Sequence, residues 1–175
     1  DAAVVGNFVG SEALAAVGTS GPVIQLLVGL FLGMSLGAGI LISQFFGGKV
    51  FGNIQRAVNT AMLLTLTLGL LVTAIGLPLA PVILRALRVP EKVYPMAVSY
   101  LRVIFCGVTP MMFYNMVASI LRALGDSRTP LVALGIASII NIILDPILIF
   151  GLFGFPRMGI LGAAVATVIG QIIAM

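Results

Sequence analysis

The chain has 175 residues, of which 61% are hydrophobic and 8% charged, with a formal net charge of +4. A soluble domain carries roughly 25% charged residues, so this composition excludes an ordinary soluble fold and indicates an integral membrane protein. The nine basic residues are scattered rather than clustered, which suits basic loops and argues against a nucleic-acid partner.

Breaks marked by Gly, Pro and charge divide the chain into one partial helix and five full ones. The partial segment covers about residues 1–10 and ends at a short connection near Ser11 and Glu12. The second fills about 21–46, inside a charge-free run from Ala13 to Gly48, and is followed by the polar, Gly-rich link GGKVFGNIQR. The third covers about 57–77 and is expected to close at LPLAP, before the charged stretch RALRVPEKV. The fourth runs over about 94–124 with Pro110 inside it, and GDSRTP makes a turn with Pro130 just inside the next helix. The fifth covers about 130–153, and FGFPRMG leads into the sixth, about 160–175. At roughly 20 residues per helical crossing these segments span a bilayer or nearly so. Strict alternation is missing, which disfavours an outer-membrane barrel.

The chain opens on Asp1 within an apolar pattern and stops inside another at Met175, so it is expected to be a fragment of a longer membrane protein. Basic loop residues do not orient it: one side carries Lys49, Arg56, Arg122 and Arg128, the other Arg85, Arg88, Lys92 and Arg157. Gly29, Gly33 and Gly37 recur at four-residue steps, as do Gly162, Ala166 and Gly170, and both stripes are expected to be helix-packing faces. Cys106, the single cysteine, sits in an apolar run and is expected to be a buried structural thiol.

The chemistry concentrates in NIILDPILIF, residues 141–150. Residues three and four apart share a helical face, so Ser138, Asn141 and Asp145 form one polar stripe on an apolar cylinder. An aspartate at the centre of a membrane helix costs about 2.5–3.5 kcal/mol, whereas a hydrogen bond between membrane helices returns about 0.6 kcal/mol on average. Asp145 is therefore a functional candidate by default. Pro146 has no N–H for the Ile142 carbonyl and is expected to kink the helix beside that carboxylate. Asp1 raises the same question, and Tyr100, Asn115, Thr167 and Gln171 add polar atoms within apolar segments. Enzymatic chemistry finds little support: there is no His, no nucleophile–base set, no metal-ligand cluster and no phosphate-binding Gly loop. Asp1 and Asp145 could pair as in an intramembrane aspartyl protease, but neither context is similar to one.

Taken in order and spacing, DAAVVGNFVGSEALAAVG, GAGILISQFFGGK, SYLRVIF, LRALGDSRTP, NIILDPILIFG and GILGAAVATVIGQ resemble the N-terminal half of a multidrug and toxic compound extrusion (MATE) transporter, over essentially the whole chain. The resemblance implies an all-α membrane protein of twelve transmembrane helices in two six-helix lobes. This chain would be the first lobe with its first helix truncated. It also implies a multi-pass protein of the cell (plasma or inner) membrane, with GGKVFGNIQR and GDSRTP as cytoplasmic loops. The implied activity is secondary active antiport, exporting small organic cations or amphipathic drugs against H⁺ or Na⁺. No cofactor is implied beyond the coupling ion, and the missing C-terminal lobe and membrane lipid are the implied partners. The alternatives are a flippase of lipid-linked precursors and a truncated, non-transporting membrane protein. A flippase would be expected to line its cavity with several basic residues, and only Arg102 lies within an apolar segment.

By the same resemblance, Asp1 matches the helix-one carboxylate implicated in cation coupling, and Asn141 and Asp145 match the cavity Asn and Asp of helix five. Asn115 and Thr167 fit cavity positions, and Tyr100 matches more loosely. Loss of charge on Asp145 would act as the switch, with the Pro146 kink shifting to release substrate. Alternatively, Asp1, Asn141, Asp145 and Thr167 offer hard oxygens for Na⁺.

Overall fold

The computed structural model describes residues 11–152 and 156–174. The expected partial segment at 1–10, including Asp1, lies outside them. Five helices follow in chain order: α1 (Ser11–Gly47), α2 (Phe51–Ala86), α3 (Tyr94–Ala123), α4 (Arg128–Phe150) and α5 (Ile160–Ala174). α1 to α4 are long and apolar enough to cross a membrane. No strand occurs among the described residues.

α3 sits at the centre and touches the other four helices. Its Leu101, Phe105, Val108 and Met112 bury into the main core with Phe31 of α1 and Leu84 of α2. A second cluster joins Ile42, Ala61, Met116 and Ile120 nearer the turns that end α1 and α3. The outer face is apolar as well: Leu26 and Leu131 are each 69% exposed and Ile142 68%. A soluble protein would not present so continuous an apolar surface. Lipid tails solvate it, so helix association rests on close packing and polar bonds. The Ser119 hydroxyl donates to the Ser35 carbonyl at 2.6 Å, joining α3 to α1. Thr73 donates to the Phe105 carbonyl at 3.0 Å, joining α2 to α3. The Tyr114 hydroxyl reaches the Pro130 carbonyl on α4 at 3.1 Å.

Prolines and polar residues end fewer helices than the sequence suggests. α1 already includes Ser11 and Glu12, where a connection was expected, ten residues before the expected start, and passes through Pro22. Pro22 withholds a donor from the Gly18 carbonyl only, while Ala16 and Ser20 are fully buried and hold this turn against the lobe. α2 likewise runs past LPLAP, through Pro78 and Pro81, to Ala86. Ala80 and Leu84 are fully buried there, and Tyr94 ties the turn down by donating to the Pro81 carbonyl at 3.0 Å. Tertiary burial outweighs a missing donor, as it does in membrane bundles where neighbours satisfy freed carbonyls. The link GGKVFGNIQR is also shorter than expected, because Phe51 to Arg56 form the opening turns of α2.

The turns after α1, α2 and α3 share one geometry. Val50 N–H reaches back to Phe45, Val89 to Leu84 and Asp126 to Leu121, each five residues earlier. The intervening Lys49, Arg88 and Gly125 take positive φ of 56°, 53° and 93°. This is the Schellman helix ending, and only Gly125 adopts it without strain between Cβ and carbonyl. α4 begins at Arg128 because the Asp126 carboxylate accepts the N–H groups of Arg128 and Thr129 and the Thr129 hydroxyl. Those bonds, led by that from the Thr129 hydroxyl, hold the Asp126 carboxyl below its ordinary range.

Two sequence expectations need correction. Cys106 is exposed, on the same outer strip of α3 as Arg102 and Ser99, while its neighbours Phe105 and Gly107 face the core. Gly29, Gly33 and Gly37 also pack on nothing among the described residues, since a Cβ at each would meet no atom within 4 Å. The α1 glycine that does permit close approach is Gly39, against Ser119.

Candidate functional site

α4 and α5 form an antiparallel hairpin in backbone contact. A Cβ on Gly162 would lie 2.6 Å from the Leu148 carbonyl carbon, and one on Gly170 would lie 3.3 Å from the Ala137 oxygen and 3.7 Å from Asn141 Cβ. The small residues of α5 thus face α4, and Ala166 between them is fully buried. The hairpin turns at Gly151, whose φ of 72° and ψ of 44° place it in the left-handed region that glycine adopts freely.

Above this close seam the helices leave a cavity of about 310 Å³. Ser138 and Asn141 of α4 and Thr167 and Gln171 of α5 supply its polar lining, and Leu134, Ala137, Ile142 and Gly170 the rest. None of these residues is basic. The Thr167 hydroxyl donates to its own helix at the Ala163 carbonyl, 2.9 Å away. The Gln171 side-chain oxygen is buried without a hydrogen-bond partner among the described residues.

Asp145 lies one helical turn beyond Asn141 and is 4% exposed. Its Oδ1 is buried and, among the described residues, has no donor. A buried carboxylate oxygen without a donor is costly in a low-dielectric setting. The Gln171 oxygen is the other orphaned acceptor, carried by the facing helix. Two acceptors lacking donors suit an incoming proton, metal cation or N–H group. No cluster of three or more His, Cys, Asp or Glu occurs among the described residues, so oxygen donors of mixed type are what this hairpin offers. α4 continues as a helix through Pro146 to Phe150, and Pro146 leaves the Ile142 carbonyl without its usual donor.

The other sequence candidates are placed elsewhere. Asn115 on α3 is half-buried, donates to the Met111 carbonyl at 2.8 Å and does not line the cavity. Tyr100 is buried within the main apolar core, among Leu101, Phe105 and Ala97. Asp1 lies outside the described residues. The structure thus brings Asn141 and Thr167 together with Asp145 close by, and separates Asn115 and Tyr100 from the cavity lining. Gln171, marked in the sequence only as one more polar atom, is a full member of the cavity. Its four-residue spacing from Thr167 is the signal that places it on the same face.

Comparisons with known proteins converge on one family. The MatE family model matches residues 1–147. The chain is 39% identical over 168 residues to the probable multidrug resistance protein YoeA of Bacillus subtilis (strain 168), covering 96% of this chain and 36% of that protein. It is 34% identical over 170 residues to a FAD transporter of Shewanella oneidensis, covering 95% and 37% respectively. A crystal structure of MATE in the bent conformation matches at a TM-score of 0.91 and 29% identity, covering 99% of this chain and 38% of that one. The chain therefore spans little more than a third of the length of these relatives. The family match over residues 1–147, the shared fold and four candidate spans lead to one conclusion: the chain belongs to the MatE family of multi-pass membrane transporters.

Proposed function

We propose that the full-length protein is a secondary active antiporter of the cell membrane that exports lipophilic organic cations in exchange for H⁺ or Na⁺, and that this lobe carries the coupling carboxylate. The supporting observation is Asp145, buried with an orphaned Oδ1 beside a cavity that holds oxygen donors and no basic residue. A carboxylate one helical turn from a cavity lined by neutral oxygens and no basic residue favours a cation, whether substrate or coupling ion, over a phosphate. That charge disfavours a flippase, and Arg102 on the outer strip of α3 does not alter it. For Na⁺, Asp145, Asn141, Thr167 and the Gln171 oxygen form a hard-oxygen set, to which Asp1 would add a second carboxylate. For H⁺, protonation of Asp145 removes the charge that holds a hydrated or cation-filled cavity, and the α4–α5 hairpin repacks. The relative named as a FAD transporter favours a second reading, export of a phosphate-bearing flavin.

The test uses the complete protein in drug-sensitive cells. Expression should confer tolerance of ethidium, and Asp145→Asn, which keeps the shape and removes the titratable charge, should abolish tolerance at unchanged membrane expression. Efflux that collapses with the pH gradient assigns H⁺, and efflux that requires external Na⁺ assigns Na⁺. Undiminished ethidium efflux in Asp145→Asn removes the carboxylate from the mechanism. Flavin export without ethidium efflux supports the second reading.

A further inference from the structure

A second cavity, about 530 Å³, lies between α1 and α2, away from the α4–α5 hairpin. Its walls are apolar: Met34, Leu41 and Phe45 on α1, Ala57 and Leu64 on α2, with Met116 of α3 as the buried floor. Its polar groups are confined to α2 toward the α1–α2 turn, where Asn53 and Arg56 line the mouth and Thr60 lies one turn deeper. From Phe45 at that end to Met34 at the other, the groove runs roughly 16 Å at about 1.5 Å per residue. That is close to half of a hydrocarbon core about 30 Å thick, the depth of one leaflet. The mouth then falls at headgroup level and the apolar part at acyl-chain level.

Charge singles out the occupant. Arg56 forms no ion pair among the described residues, and Lys49 stands exposed in the adjoining turn. A guanidinium is suited to two-pronged hydrogen bonding with a phosphate, and basic pockets between transmembrane helices are suited to anionic headgroups. A second protein lobe seated in the groove would bury Arg56 without a partner from this lobe, which is costly.

We propose that the α1–α2 groove holds one anionic phospholipid of the adjacent leaflet, with an acyl chain along the apolar wall and its phosphate at Arg56 and Asn53. The site is separate from the Asp145 cavity and does not depend on which solute is transported. A lipid seated there fills the wedge between two helices that each pack more extensively on α3 than on one another, so its presence should stabilise the lobe.

The test is native mass spectrometry of the full-length protein in detergent, with equimolar phosphatidylglycerol and phosphatidylcholine of identical acyl chains. The parent should retain phosphatidylglycerol in preference by roughly fivefold, the value set by about 1 kcal/mol for one basic residue at a membrane surface. Arg56→Gln should erase that preference, and Arg56→Lys should keep part of it. Gly37→Phe projects a ring into the groove from a position where an added Cβ meets nothing within 4 Å, and it should lower retention of both lipids. An unchanged lipid ratio in Arg56→Gln overturns the proposal. Unchanged lipid retention in Gly37→Phe also overturns it, and if thermal stability falls at the same time the groove is occupied by protein of the second lobe. Should Gly37→Phe fail to fold, the exposed Arg56 variants decide the matter alone.

Discussion

The two helical hairpins of this lobe carry similar small-residue spacing and use it in opposite ways. On α5, Gly162, Ala166 and Gly170 are buried against α4, close enough that an added Cβ on Gly162 would overlap the Leu148 backbone. On α1, Gly29, Gly33 and Gly37 are exposed, and α1 diverges from α2 to leave an apolar groove. Four-residue spacing defines a helix face. Whether that face is occupied depends on which neighbour the chain topology supplies. The closed hairpin holds polar side chains at fixed separation, and the open one exposes a groove to whatever surrounds the lobe.

The largest effect should come from Gly162→Ala. The added methyl meets backbone that cannot rotate away, so α5 must shift, at about 1–3 kcal/mol by analogy with overpacked cores. Thermal unfolding of the full-length protein in detergent should show the loss, and ethidium efflux should fall with it as the Asn141–Thr167 cavity distorts. Gly33→Ala is the matching change on the open stripe and should be neutral or slightly stabilising, since alanine favours helix by up to about 1 kcal/mol. If Gly33→Ala proves equally damaging, a segment outside the described residues covers the α1 stripe and the contrast breaks down.

Pro146→Ala sharpens the account of the closed hairpin. Alanine restores a donor for the Ile142 carbonyl, and an interior proline costs about 3 kcal/mol in a soluble helix, less where neighbours compensate. Stability should hold or rise while efflux falls, because alternating access requires two arrangements of α4 that differ little in energy. Normal efflux from a stabilised variant would make Pro146 a packing feature only.

At the turn of the open hairpin, Lys49 occupies a left-handed conformation with φ of 56°. Lys49→Gly relieves Cβ strain of about 1 kcal/mol, and the thermal midpoint should rise slightly with no change in transport. A fall would show that the lysine side chain has a role there beyond the backbone geometry.

The smallest effect concerns Asp126, which opens the closed hairpin by capping α4. Its carboxyl titrates below the ordinary value because Thr129 and Arg128 donate to the ionised form. The stabilisation it gives is therefore complete above the unfolded value of about 3.9 and is lost as pH falls through the lower folded value. Asp126→Asn should reduce thermal stability slightly at neutral pH, and the difference from the parent should close on acidification below about pH 4. A difference that persists into acid would assign the effect to shape rather than charge.

Much of the fold could be read in advance because membrane insertion is written in long apolar runs, which need no knowledge of neighbours. The pairing of Asn141 with Asp145 was equally legible, since both lie on one helix and their spacing alone puts them on one face. Helix ends were less so. LPLAP reads as a stop, yet Ala80 and Leu84 bury into the core and carry α2 five residues beyond Pro81. Cys106 misled for a related reason: in a lipid-solvated bundle, apolar neighbours in sequence do not indicate an inward direction.

What the sequence by itself determined is local: which segments are apolar enough to span, which residues share a helical face, and that a carboxylate within such a segment calls for a reason. What only the tertiary structure decided is which faces meet. Asn115 and Tyr100 are polar groups in apolar segments just as Thr167 and Gln171 are. α3 turns Tyr100 into the core and leaves Asn115 bonded to its own helix, while the close α4–α5 seam gathers Thr167 and Gln171 around Asn141. The physical reason is that helical periodicity constrains residues a few positions apart, whereas contact between helices is set by the shapes of surfaces far apart in the chain, here by a glycine on α5 that lets two backbones touch.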